Sequence, residues 1–371
     1  MRVGLGLGGL GLAAWIALAC SDDPHRRTSR EQAAGGGGAC AAKPGELPTP
    51  NCDDSENTCV PQPGCAIDEI RCGSASTCLP IGTNTGKDVL DFRIRRLKIA
   101  TPPQLAAEFV QNNIVTLNLD LAEPTCGEPG KGLFTWLLQI DRKNNTLITG
   151  GAPPSDDAIG QGFCFASFEL GSTKVAPIST KVAFSGDTFR SLERQKIKIP
   201  IFTTAAVSSV IILPITDVQV EGVSLSEDGN CIGKLNPAAL DRSCAATEAT
   251  CSKWRTAGSL GGFITLEEAD GVRVELLQKS LCAFFSGEPV KCARDAQGKI
   301  AYPGDFCSKD KQAGSCADSM WLAATFAASA VKIFDGKGTV AGCSGGVTAI
   351  DAGPDGSTDA GSDAADASDG D

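Results

Sequence analysis

Apolar and polar residues alternate with a period of two over much of residues 87–225. Leu90, Phe92 and Ile94 fall on one side of an extended chain, while Asp91, Arg93 and Arg95 fall on the other. Leu97 and Ile99 resume the alternation one residue out of phase, which predicts a β-bulge near Arg95 and Arg96. Similar patterns predict strands over 114–121, 133–141, 147–149, 162–170, 181–184, 196–202, 207–213 and 218–225. Arg142, Lys143, Asn144 and Asn145 read as the turn of a hairpin.

Helical signals are fewer. Thr101-Pro102-Pro103 starts one helix, with Thr101 as the N-cap and Leu105, Phe109 and Val110 sharing a face. Thr265 with Glu268 forms a capping box that opens a helix over 266–280, where Ala269, Val272 and Leu276 recur. The alanine-rich run 321–334 suits a helix by its length and a strand by the Phe326, Ala328, Ala330 series. Strands that follow one another at short intervals favour a mainly β domain over a βαβ fold. The expectation is an antiparallel sandwich or barrel-like domain with one to three helices, preceded by a small disulfide-rich module.

Composition shifts divide the chain further. Residues 1–19 combine Arg2 with a glycine-loosened apolar run ending in small residues, the layout of an export signal. A permanent membrane anchor is the alternative, but a run this rich in glycine makes a poor helix. Residues 20–39 end in four glycines and read as a flexible tether. Residues 40–86 are rich in cysteine, 87–350 hold the sizeable core, and 351–371 carry seven aspartates and no aliphatic residue larger than alanine. Such a tail buries too little surface to offset its ordering entropy.

Ala17-Leu18-Ala19-Cys20 resembles the lipobox of bacterial lipoproteins, in which a small residue precedes the cysteine that becomes the lipidated N-terminus. The departure is Ala17, where the family usually has leucine. The resemblance spans some 20 residues and implies a processing route, with lipid attachment at Cys20 and a membrane partner through that anchor. Ser21 directly after the cysteine gives no clear signal for retention at the inner membrane. Ordinary secretory cleavage after Ala19 is the competing route. The order of signal, cysteine, glycine-rich tether, cysteine-rich spacer, folded domain and Asp/Ala tail also resembles secreted lipoproteins of high-GC Gram-negative bacteria. That implies export and anchorage at the outer membrane or cell surface.

The chain has 17 cysteines, a frequency that points to an oxidising compartment. Removing Cys20 leaves an even number, which favours lipidation over a free thiol. Cys40, Cys52, Cys59, Cys65, Cys72 and Cys78 crowd a segment too poor in apolar residues to fold unstapled. The stretch from Cys65 through Cys72 to Cys78 is similar to the first half of a low-density-lipoprotein-receptor class A repeat, but its acidic calcium-binding half is absent. Cys126 and Cys164 stand apart and are expected to pair across the sheet. Cys231, Cys244, Cys251, Cys282, Cys292, Cys307, Cys316 and Cys343 form a third set, and the even counts suggest local pairing within each. No C-x2-C pair occurs, so no metal site is expected.

The net charge of −11 belongs mostly to the ends: 40–86 contributes −4, 351–371 contributes −7, and 87–350 only −1. Nucleic-acid binding is not expected from this balance. The single histidine, His25, lies in the tether, which removes His-based triads and His-ligated metals from the folded domain. No cofactor is implied. Carboxylates remain as acid–base groups: Asp120, Glu123 and Glu128 near a strand end read as a polar loop, and Glu267, Glu268 and Asp270 as stabilisers of a helix N-terminus. Arg93, Arg95, Arg96 and Lys98 make the densest basic run, and the expectation is that they solvate or protect a strand. Trp136, Trp254, Trp321 and Tyr302 are available as stacking platforms for sugars, though Trp136 sits in an apolar strand and is expected in the core. Gly150-Gly151 and Gly261-Gly262 lack phosphate-loop spacing and read as turns.

The expected function is therefore non-catalytic: a cell-envelope lipoprotein for surface display, binding or adhesion, with a surface glycan or protein as ligand. The alternatives are a carboxylate-dependent, glycosidase-like envelope hydrolase, and a lipid carrier with an apolar cavity.

Overall fold

The computed structural model describes residues 42–51, 67–123, 126, 128–204, 210–236, 253–274, 278–334, 336, 342–343 and 350–351. The signal, Cys20, the tether with His25, Cys40, Cys52, Cys59, Cys65, Cys244, Cys251 and the aspartate tail beyond Asp351 lie outside the described residues.

The domain is mainly β, built on a large curled, predominantly antiparallel sheet. Its principal strands are β1 (Val89–Thr101), β2 (Thr135–Asp141), β3 (Thr146–Ala152), β4 (Ile178–Ser185), β5 (Thr188–Ser191), β6 (Gln195–Phe202), β7 (Val210–Glu221), β8 (Val223–Ser224), β9 (Gly258–Thr265) and β10 (Ser319–Ala330). They are hydrogen-bonded in the order β6-β7-β9-β10-β1-β2-β3-β4-β5-β8. The curl brings distant parts of this order together. Ser191 Oγ on β5 donates to Val220 O and accepts from Val220 N on β7, at 3.3 and 2.9 Å. Gly151 on β3 lies under Pro200 of β6 so closely that a Cβ there would sit 2.5 Å from Pro200 Cδ. Glycine is what permits that approach.

Phe92, Ile94, Leu138, Ile140, Leu147, Val182, Phe189, Ile197, Ile199 and Phe326 share the main core on one face of the sheet. The undecided segment 321–334 is resolved as strand β10 over Ser319–Ala330, and every one of its residues is buried. Met320, Leu322, Ala324, Phe326 and Ala328 join the main core. Trp321 and Ala323 pack with Phe263, Phe306 and Leu47 in a separate cluster. A strand covered on both faces loses its polar alternation, which is why the pattern alone is ambiguous.

The expected bulge is present. Ile94 pairs with Ala328 and Arg96 with Ala327, leaving Arg95 extra. Ile94 and Leu97 both reach the main core, so Arg95 and Arg96 between them project from the opposite face, the side that Arg93 also takes.

Several expected elements differ. The strand expected over 114–121 is helical: a π-helical turn, Gln111–Thr116, continues into Leu117–Leu119. Val110, Val115 and Leu119 are its buried apolar residues, and the five-residue step between the first two is the extra residue of a π-bulge. The Gln111 side chain accepts from Ile99 N and donates to Leu97 O, both at 2.9 Å, docking the turn onto β1. Thr101 does not cap the first helix. Pro102 takes that position, and the Thr101 hydroxyl donates to Trp321 O at 3.1 Å. Phe109 is 61% exposed rather than sharing a buried face with Val110. The expected strands 207–213 and 218–225 are largely one strand, β7, while residues 207–209 lie outside the described residues. Of 162–170 only Phe168–Leu170 is strand.

The capping box at Thr265 is present, with Glu268 N donating to Thr265 Oγ1 at 3.2 Å. Its helix, α1, covers only Leu266–Gly271 and not the expected 266–280. A small hairpin, Arg273–Val274 with Lys279–Ser280, follows. Then comes α2, Leu281–Ser286, capped by the Ser280 side chain and ended by Gly287 in the left-handed region.

The disulfides correct the expected local pairing. Cys126 bonds Cys72, and Cys164 bonds Cys343, so these two cysteines do not pair with each other. Cys78 bonds Cys231. The segment 67–86 is thus stapled onto the β domain by two covalent links. Cys282–Cys292 and Cys307–Cys316 are the local pairs of the C-terminal part.

Candidate functional site

Two features carry enough polar chemistry to be weighed as sites: a buried charged layer on β1 and an open cleft beside β7.

The arginines of β1 do not solvate the strand. Arg93, Arg95 and Arg96 are all buried at 2% exposure or less. Arg93 Nη2 donates to Leu119 O at 2.6 Å and to Phe134 O at 3.3 Å, its Nε donates to Thr135 Oγ1 at 3.3 Å, and its guanidinium lies 5.4 Å from the Phe163 ring centre. Arg95 forms an ion pair with Glu128, donates to Leu79 O at 3.1 Å, and sits 5.6 Å from the Trp254 ring centre. Arg96 donates to Thr116 Oγ1. Beside them Lys253 pairs with Asp120 at 3.1 Å.

The sequence expectation of a polar loop at Asp120, Glu123 and Glu128 is corrected accordingly. Glu128 is a buried counter-ion, Asp120 is buried against Lys253, and Glu123 is half-buried with Arg71 at 3.8 Å. Burial pushes the Arg93 guanidinium down to about 9, assisted by neighbouring Arg95, and burial takes Arg96 down to about 10. Burial opposes the charge on Glu128, but Arg95, Lys253 and Arg93 hold its carboxyl below the ordinary value. Arg95 and Lys253 are paired with carboxylates, while Arg93 and Arg96 are held by carbonyl and hydroxyl oxygens, and the layer is closed off from solvent. Their chemistry is adhesive: they fasten the loops at 79, 116–135, 163 and 254 to the outer face of β1.

The second acidic group is also committed. Glu267 accepts from Arg294 at 2.6 Å, a hydrogen bond that lowers its carboxyl. Glu268 is pushed up by burial but held low overall by Lys196, at 2.7 Å, and by Thr265. Asp270 accepts from Ser280 at 3.2 Å and lies 3.7 Å from Arg294. Two half-buried carboxyls, Asp91 and Asp305, are raised by burial; Gln139 donates to the first and Trp321 N to the second, at 2.9 and 2.8 Å. Neither lines the cleft.

None of the expected sugar platforms is open. Trp136, Trp254 and Trp321 are buried, and Tyr302 is half-buried with its hydroxyl donating to Phe285 O at 3.2 Å. Cys307, Cys316 and Asp318 lie close enough to hold a metal. The two sulfurs are bonded to each other, however, and Asp318 accepts from Ser308 N and Ser308 Oγ at 2.8 and 2.7 Å. The set is a disulfide beside a turn-capping carboxylate, and it does not fit a cation.

The cleft has a volume of about 760 Å³. One side is Lys196, Lys198 and Thr203 from β6 and the loop after it, with Val210, Ile211, Ile212 and Pro214 from β7. Glu268, Gly271, Val272 and Arg273 from α1 and the following hairpin form another side, and Leu170 and Thr173 a third. Three basic side chains therefore stand around an apolar strip, against one carboxylate already bound to Lys196. Sequence reasoning did not single these residues out. The available signal was Lys196 and Lys198 alternating with Ile197 and Ile199, followed by prolines 200 and 214 inside strands, which marks a sheet edge.

Comparison with protein-family models, with curated proteins and with solved structures finds no match in any of the three.

Proposed function

We propose that this chain is an exported, lipid-anchored binding protein of the Gram-negative envelope whose β domain presents the cleft beside β7 to a ligand. The observation that carries the reading is the cleft itself: an open surface with an apolar strip and a net basic rim, on a disulfide-stapled domain. Anchorage through Cys20 rests on the lipobox-like residues and on cysteine parity. The non-catalytic reading is supported by the lining, in which the one carboxylate among the described residues, Glu268, serves the capping box and Lys196. A glycosidase-type mechanism requires two carboxylates facing one substrate. A lipid carrier requires an enclosed apolar chamber, which differs from a cleft flanked by lysine and arginine.

Two measurements test the proposal. Protein with Cys20→Ala, which lacks the anchor, is titrated onto isolated outer envelopes beside the same protein carrying Lys198→Glu/Arg273→Glu; the latter is expected to lose most of the binding, and equal binding overturns the cleft as the contact surface. Cys20→Ala is expected to lose both metabolic lipid label and membrane fractionation. Continued membrane association after loss of label overturns the anchor.

A further inference from the structure

We propose that the outer edge of β7 over Val210–Pro214 accepts an extended acidic peptide segment as an added strand, an occupant that rests on the reading of this cleft as the binding surface. β7 pairs with β6 from Val210 to Val218, but with β9 only from Thr216 onward. Its first half therefore has one edge with no strand partner among the described residues. Unpaired main-chain groups on such an edge template the addition of another strand.

The prolines show which groups point outward. Pro200 pairs with Ile212 and Lys198 with Pro214. A proline has no N–H to give its partner, so both are pairs of the non-hydrogen-bonded kind, and Phe202 with Val210 has the same parity. The N–H and C=O of Val210 and Ile212, and the C=O of Pro214, are then directed at the free edge. Pro214 ends the ladder on the β9 side. The available length is about 14 Å, enough for a guest of roughly five residues.

The cleft lies against this edge. Successive strand residues point to opposite faces, so a surface lined by Val210, Ile211 and Ile212 together wraps the edge between those faces. All three are half-buried, leaving apolar surface for alternate guest side chains. Across it stand Gly271 to Arg273. Lys196 is engaged by Glu268, and Lys198 and Arg273 add two further positive charges to the cleft lining. Acidic residues at the ends of the guest complement them, and β-branched residues in its centre suit the strip.

The test uses the full mature chain and a labelled heptapeptide, Asp-Thr-Val-Thr-Val-Thr-Asp, read by fluorescence anisotropy and by amide exchange. Binding with new protection at the Val210 and Ile212 amides is expected. N-methylation of alternate peptide amides is expected to weaken binding about five- to tenfold per lost bond, with wild-type protein throughout. Ile212→Pro, which removes an outward donor, gives a similar loss, and Lys198→Glu/Arg273→Glu a larger one at low salt. Equal affinity for the N-methylated peptide, or protection at other amides only, overturns the added strand. Protection at Val210 that grows with protein concentration in the absence of peptide assigns the edge to a second copy and also overturns it. If the peptide fails while envelope binding still depends on Lys198 and Arg273, this inference falls and the binding reading stands. If both fail, both fall.

Discussion

Replacing Glu128 by alanine leaves Arg95 charged, 1% exposed, and without its counter-ion, beside a second buried guanidinium at Arg93. Breaking a buried pair from one side costs about 3–5 kcal/mol, because the remaining charge is neither solvated nor compensated. Glu128→Gln keeps a neutral acceptor for Arg95 and recovers about 1 kcal/mol of that. The double replacement Arg95→Met/Glu128→Leu removes both charges of the pair and is expected to be more stable than either single variant. The assay is reversible guanidinium unfolding with disulfides intact, read by tryptophan fluorescence, since Trp254 lies against Arg95. The pH dependence follows from the carboxyl being held below its ordinary value in the folded state. Stability from the pair is complete above the unfolded carboxylate value, about 4.3, and is lost as pH falls through the lower folded value. The gap between wild type and Glu128→Ala should therefore be wide at pH 7 and narrow in acid. A gap under about 1 kcal/mol at pH 7, or a double variant as unstable as the worse single, refutes the buried Arg95–Glu128 pair.

Other expectations are simpler to state. Cys72→Ser/Cys126→Ser opens a loop of 54 residues and is expected to cost about 4 kcal/mol by the chain-entropy relation, with faster proteolysis around residue 126 as a second readout. Gly151→Ala places a Cβ 2.5 Å from Pro200 Cδ, and thermal unfolding should show a loss of about 1–3 kcal/mol from overpacking where the sheet curls onto itself. Thr265→Ala removes the acceptor for Glu268 N, with an expected loss of about 1 kcal/mol in chemical unfolding. By contrast Arg294→Ala touches an exposed pair with Glu267, and a change above about 1 kcal/mol there would contradict the weak role of surface ion pairs.

Legibility varied by element for physical reasons. β4 and β6 carry lysines on one side, so period two was visible there, while β2 and β3 were legible from their apolar and β-branched runs although Leu137, Ile148 and Ala152 pack in a second cluster. The bulge in β1 was legible because it shifts that period by one residue. Residues 114–121 misled because Ile114 and Val115 favour strands intrinsically, while docking by Gln111 to β1 made a helical turn the better partner. α1 was legible at its start, where the capping box is local, and not at its end, where the chain turns into a hairpin. The arginines of β1 looked like a solvated run because nothing nearby in sequence shows that Glu128, Trp254, Leu79 and Leu119 converge on them.

From the sequence alone came the mainly β class, the bulge, the capping box and a folded domain without histidine. Each rests on local periodicity, on residue type, or on a motif a few residues long. Tertiary structure decided the rest: which cysteines meet, that β10 is buried on both faces, that three arginines are interior, and that the first half of β7, beside a cleft, has a strand partner on one edge only among the described residues. Those properties depend on contacts between residues tens to hundreds of positions apart, such as Cys78 with Cys231 and Arg95 with Glu128. They arise only when the sheet curls and the loops close over it.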